Sequence, residues 1–188
     1  MEMNWSEKWF VNSAWRNRLV VRILYRPFLN RIPHEPRKIL EIGCGIGSTT
    51  CLIGERFSRA TVLGLDFDGE QVALAQARAH PSNVMFIQGD AMGLPFEDNT
   101  FDALFSLLTF HHLENYQRSL KECLRVLRPG GRLYVIELGL WSIHRLKWLF
   151  PAPVIFSKNE FIASVQQAGF HIERSWGNNY RFFVIATK

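Results

Sequence analysis

Nothing in this chain reads as built for a membrane span or an oxidising compartment. No apolar run approaches the roughly 20 residues that cross a bilayer, and Met1-Glu2-Met3-Asn4-Trp5 lacks the basic-then-apolar layout of a signal peptide. Cysteine is scarce. Cys44, Cys51 and Cys123 show neither metal-ligand spacing nor an even-numbered disulfide framework, so no metal is expected and the three read as reduced thiols of a cytoplasmic protein. Internal repeats and low-complexity tracts are lacking too. The chain's 188 residues, 47% hydrophobic and 21% charged, fit one globular domain with a sizeable core.

The net charge of +5 has a location. Residues 1–38 hold eight Lys/Arg against three acids, and residues 39–188 hold fourteen of each. Such a segment can attract phosphates or anionic lipid, and it equally fits a solvated helix face. Residues 6–26 carry a helical period, with Trp15, Leu19 and Ile23 on one stripe and Arg18, Arg22 and Arg26 on the opposite side. Pro27, Pro33 and Pro36 are expected to end that helix and form a linker, which separates residues 1–36 from a domain over 37–188.

From Ile39 onward, strand and helix patterns alternate. Strands are expected at 38–43, 61–66, 84–88, 101–106 and 132–137. Helices are expected at 47–57, at 69–79 with Val72, Leu74, Ala75 and Ala79 mostly on one face, and at 116–127, where Pro129-Gly130-Gly131 should stop the helix. Ser157-Lys158-Asn159-Glu160 reads as a capping box opening a helix that runs to Ala168. Two last strands, 171–176 and 180–187, flank the hairpin signal Gly177-Asn178-Asn179. The expected fold is therefore α/β: a doubly wound, mostly parallel seven-stranded sheet with an antiparallel C-terminal hairpin.

The chemistry gathers at strand ends. Glu41-Ile42-Gly43-Cys44-Gly45-Ile46-Gly47 follows the first strand, and a glycine-rich turn between strand and helix lets backbone approach a ligand closely. Asp66 ends the second strand, where a carboxylate can accept from both hydroxyls of a ribose diol. Asp90 follows the third strand and could accept from an exocyclic amine, with Phe67 placed to pack on a base. The glycines depart from the dinucleotide fingerprint G-x-G-x-x-G, since Ser48 occupies its third glycine position.

With Leu124-Arg125-Val126-Leu127-Arg128-Pro129-Gly130-Gly131-Arg132-Leu133 added, the chain resembles the class I S-adenosylmethionine-dependent methyltransferases, within them the UbiE-like and general small-molecule group, over roughly residues 37–137. The resemblance implies S-adenosyl-L-methionine as cofactor and a Rossmann-like methyltransferase fold. Glu41 with the backbone of Gly43, Cys44, Gly45 and Gly47 would hold the methionine moiety, and Asp66 the ribose. Asp90 and the Ala91 amide would read adenine under Phe67, and Leu107 would line the methionine end. The cofactor carries an activated leaving group, so orientation is the main demand on the protein. Where an acceptor needs a base, His111 and His112 are the candidates, His111 first, unless they only cap their loop or pack against cofactor. Glu137 could face the acceptor, or could be solvated or cap a helix.

Five of six tryptophans fall in residues 5–28 and 140–156. Such segments suit a lid over a small apolar or lipid-like acceptor, peripheral membrane contact through the N-terminal helix, or plain packing on the core. Two other functions remain: a cofactor-binding regulatory module without catalysis, and a nicotinamide-dependent oxidoreductase, against which no Tyr-x-x-x-Lys pair is found. Nucleic acid is a disfavoured partner, because no Asn/Asp-Pro-Pro-Tyr signature and no separate nucleic-acid domain are present. The methylated atom and the oligomeric state are not written in the sequence.

Overall fold

The structure is a computed structural model and describes residues 25–33, 35–139 and 156–188. Nearly all of the expected N-terminal helix and of the aromatic stretch 140–156 lies outside the described residues. Strands β1 (Lys38–Ile42), β2 (Thr61–Asp66), β3 (Val84–Gln88), β4 (Phe101–Leu107), β5 (Leu127–Leu138), β6 (His171–Gly177) and β7 (Arg181–Thr187) form one sheet in the order β3-β2-β1-β4-β5-β7-β6. The first five are parallel; β7 runs antiparallel between β5 and β6. This is the expected doubly wound, seven-stranded sheet with its terminal hairpin.

The period of two along β1 explains how both faces are filled. Ile39 packs with helices α1 (Arg26–Leu29), α2 (Ser48–Arg56) and α3 (Gly69–Ala77), in a core that includes Phe28, Ile53, Val72, Phe105 and Tyr134. Leu40 and Ile42 face α4 (Tyr116–Val126) and α5 (Lys158–Gln167), in a core with Leu120, Phe161 and Phe182. The capping box forms as expected: Ser157 accepts from Glu160 N while the Glu160 carboxylate accepts from Ser157 N.

Several local expectations are corrected. Pro27 does not end a helix; it sits in the first turn of α1, where its missing N–H costs nothing. Phe28, Leu29 and Ile32 are buried in the core, so part of the expected linker packs on the domain. Helix α3 stops at Ala77, and Leu74 is 49% exposed while Val72 and Ala75 are buried, because Leu74 is two positions from Val72 and faces solvent. Pro129-Gly130-Gly131 is not a gap between helix and strand. Leu127 already pairs with Phe101, and the extra residues bulge out, with Gly130 at φ 77, before Arg132 pairs with Ala103. Among the described residues, no helix is long and apolar enough to cross a membrane.

Candidate active site

In an open α/β sheet, ligands bind outside the carboxyl ends of the strands, where the connections diverge from β1 in opposite directions. Here that point lies between β1 and β4. The turn after β1 holds Gly43, Gly45 and Gly47 at positive φ. At Gly43 (φ 70) a Cβ would fall 2.4 Å from the Thr109 methyl carbon, and at Gly47 (φ 78) it would meet the Phe86 ring at 2.5 Å. Only glycine fits these two places. At Gly45 a Cβ would meet nothing nearer than Gln71 Oε1 at 4.0 Å. That stretch of backbone is open to a ligand.

Glu41 shares its strand face with Ile39 and is fully buried under the first turn of α2. Its two oxygens accept from Thr49 Oγ1 and Thr50 Oγ1, each at 2.5 Å. Burial pushes its carboxyl up from 4.5 to about 7, and the two hydroxyls pull the other way. Asp66, at the end of β2, accepts from Gly45 N at 2.7 Å and from Asp68 N at 3.0 Å. It therefore pins the glycine turn, and burial raises its carboxyl above the ordinary range. Cys44 is buried in the turn, and burial raises its thiol well above the ordinary value.

Asp90 Oδ1 accepts from Met92 N at 2.8 Å, which closes a tight turn around the buried Ala91; Asp90 Oδ2 has no partner among the described residues. The following segment is anchored to α4. Glu122 accepts from Leu94 N, and Arg125 donates to the carbonyls of Leu94 and Phe96. Phe67 is 47% exposed beside this crevice, with its carbonyl held by Gln88 Nε2.

The turn after β4 completes the site. Leu107 is buried in the core shared with Phe105 and Ile136. Leu108 takes φ 63, a left-handed conformation that costs a branched residue on the order of 1–3 kcal/mol. The next residue, Thr109, covers Gly43 and donates from Oγ1 to Ile42 O at 3.1 Å. The short turn Phe110–His112 then lies on Phe161 through Phe110. His111 is 6% exposed, and its Nδ1 lies 2.6 Å from Glu137 Oε1. The neighbouring His112 ring is 4.1 Å away by centroid, and burial with the adjacent His111 lowers its pKa to about 3. A cleft of about 640 Å³ lies elsewhere, at the amino ends of β1, β4 and β5 beside Arg37, Asp102, Arg128 and Gly131.

Residues 40–135, just over half of the chain, match the model of the methyltransferase domain. The chain belongs to that family. It is 37% identical to the demethylmenaquinone methyltransferase of Thermus thermophilus over 125 residues, 65% of this chain and 53% of the relative. It is 35% identical to the fatty-acid O-methyltransferase of Mycolicibacterium smegmatis over 108 residues, 57% of this chain and 39% of the relative. A solved S-adenosylmethionine-dependent methyltransferase of Aquifex aeolicus superposes with a TM-score of 0.79 at 22% identity, covering 98% of each chain. The chain spans about half the length of the curated relatives it matches.

The methyltransferase-domain frame gathers Glu41, the glycine turn, Asp66, Phe67 and Asp90 along adjacent strand ends. The residues fit an S-adenosyl cofactor on three observations: an open backbone face at Gly45, and, among the described residues, an unpartnered oxygen on Asp90 and an unpartnered Oε1 on the buried Gln71. Three participants were missed in the sequence. Thr109, Gln71 and the pairing of Glu137 with His111 come from elements brought together only by the sheet order. Glu137 is neither solvated nor a helix cap: it lies on the same strand face as Val135, fully buried against the turn after β4.

Proposed function

We propose that this chain transfers a methyl group from S-adenosyl-L-methionine to a small, apolar or lipid-like acceptor. One observation carries the reading. Carboxyl groups stand at the ends of three adjacent strands, Glu41 in β1, Asp66 in β2 and Asp90 just after β3, around a turn that only glycine can form. When bound, S-adenosylmethionine supplies an electrophilic methyl group on sulfonium. The chain supplies position. Gly43, Cys44, Gly45 and Gly47 present backbone to the methionine moiety, with Glu41 offering a carboxylate to its ammonium group. Asp66 keeps lone pairs for two ribose hydroxyls while its other contacts hold the turn. Asp90 Oδ2 and the Ala91 amide face the adenine edge, Phe67 offers its ring to the base, and Leu107 closes the methionine end.

The acceptor class rests on composition and on the two relatives, whose names specify a demethylmenaquinone and a fatty acid. We assign the acceptor side to the aromatic segments 5–28 and 140–156, nearly all of which lie outside the described residues. Their tryptophans offer broad apolar contact to an acceptor or to a bilayer surface. Calorimetric titration with S-adenosylhomocysteine and with NADH tests the cofactor. Binding of NADH alone would overturn the reading. Incubation with methyl-labelled cofactor plus a quinol or a fatty acid tests turnover, and cofactor binding without label transfer to either would leave a binding module.

A further inference from the structure

The cleft at the amino ends of β1, β4 and β5 lies at the opposite end of the sheet from the glycine turn. Tyr134 lines it and is only 2% exposed. The Tyr134 ring stacks on Phe105 at 4.8 Å between centroids, and Phe28 meets it edge-on at 6.3 Å. Its hydroxyl has no hydrogen-bond partner among the described residues and is not one of the fully buried unpaired atoms. The little surface that Tyr134 exposes therefore includes the hydroxyl, and that surface opens on the cleft. Burial pushes the phenol up to about 12, so the hydroxyl keeps its proton and can donate. A polar group this deep in a fold normally has a partner.

Basic side chains line the same cleft. The Arg37 side chain has no hydrogen bond or ion pair among the described residues, although its backbone N donates to Asp102 Oδ2 at 2.9 Å. Arg132 donates to Glu173 through Nε alone, which leaves both terminal nitrogens unpaired among the described residues. The acids that line the cleft are already paired. Asp102 accepts from Arg37 N, Lys38 N and Arg128 Nη1, and Glu35 meets Arg56 at 3.1 Å. The charge left over is that of Arg37, and it is positive.

We propose that this cleft is a binding site for a small phosphate monoester, distinct from the crevice at the carboxyl ends of the strands. The phosphoryl oxygens accept from the Tyr134 hydroxyl and from the guanidinium groups of Arg37 and Arg132. These donors come from the chain before β1 and from two positions of β5. Three separate donors suit a tetrahedral anion, which offers oxygens in three directions, better than a planar carboxylate, which offers two. A volume of about 640 Å³ holds more than a bare phosphate, and Pro33 and Pro36 give the rest of the ligand an apolar wall.

The test is calorimetric titration of the whole chain at low salt with phenyl phosphate, inorganic phosphate and phenol. Phenyl phosphate should bind saturably to one site, more tightly than inorganic phosphate, and phenol should not bind. Y134F and R37Q should each weaken phenyl phosphate about tenfold, the loss of one hydrogen bond to a charged group. K121Q, which removes an exposed charge on α4 away from the cleft, should leave the affinity unchanged. So should an excess of S-adenosylhomocysteine. Y134F deletes a hydroxyl without a partner and R37Q alters a side chain without one, so both should melt with wild type. Absence of saturable binding, equal affinity of Y134F and wild type, an equal loss in K121Q, or displacement by S-adenosylhomocysteine would overturn the proposal. Inorganic phosphate binding as tightly as phenyl phosphate would overturn the monoester assignment. A lowered melting temperature in Y134F would show that the hydroxyl serves the fold, and would overturn the proposal as well.

Discussion

Glu41 makes the stability of this fold depend on pH in a direction opposite to that of most carboxylates. A carboxyl held at about 7 when folded and near 4.5 when unfolded keeps its proton longer in the folded state. Below the unfolded value both states are protonated, and the group makes no difference. Between 4.5 and 7 the unfolded chain releases its proton first, so the folded state loses relative stability as pH rises. Above 7 both are ionised and the loss is complete, at about 3 kcal/mol for this displacement. For a domain of this size that is roughly 6–12 °C in melting temperature. The assay compares E41Q with wild type, without ligand, from pH 4.5 to 8. Other titrating groups cancel in the difference, so the melting temperature of E41Q should climb relative to wild type across that window and then level off. A difference that stays constant from pH 4.5 to 8 would refute the burial argument. S-adenosylhomocysteine, with its ammonium group, should bind wild type up to about tenfold more tightly at pH 8 than at pH 6, as Glu41 goes from roughly one-tenth to nine-tenths ionised.

Other expectations follow from contacts already described. Gly43→Ala should abolish S-adenosylhomocysteine binding and cost about 2–4 kcal/mol in denaturant unfolding, from positive φ together with the clash on Thr109. In a T109A background the same change should cost less, because the clashing side chain is gone, and a double-mutant cycle reads that coupling. D66N should weaken S-adenosylhomocysteine about 10–100-fold by calorimetry, since it alters both the turn anchor and the ribose acceptor. H112N should leave the pH profile of methyl transfer between 5 and 9 unchanged, because His112 titrates at about 3; a lost limb would show that His112 acts as a base.

The sheet and the acidic ladder were legible because both are local patterns. Strand period, glycine spacing and an acid at a strand end all fall within a few residues of one another. Glu41 is such a case: the sequence places it one strand period from Ile39, and only its degree of burial is new. What escaped depends on contacts between distant segments. Glu137 is 26 residues from His111, and no spacing rule links the end of β5 to the turn after β4. Thr109 covers Gly43 across 66 positions of chain, and it does so because Leu108 accepts a left-handed conformation that its side chain disfavours. Pro129-Gly130-Gly131 misled for the opposite reason. Its turn chemistry is real, but β4 and β5 pair on both sides of it.

The place of β7 in the sheet bears on how the molecule assembles. Among the described residues β6 has no neighbour but β7, and β7 in turn needs the edge of β5, which it meets through pairs such as Arg132 with Thr187. The order of assembly is therefore not the order of the chain: β6 must wait for a strand that follows it. Closure of this side depends on pairs 43 to 55 positions apart, the kind of long-range pairing that slows folding. Until it forms, β5 presents an open edge beside Glu137, and the turn carrying His111 lacks its finished wall.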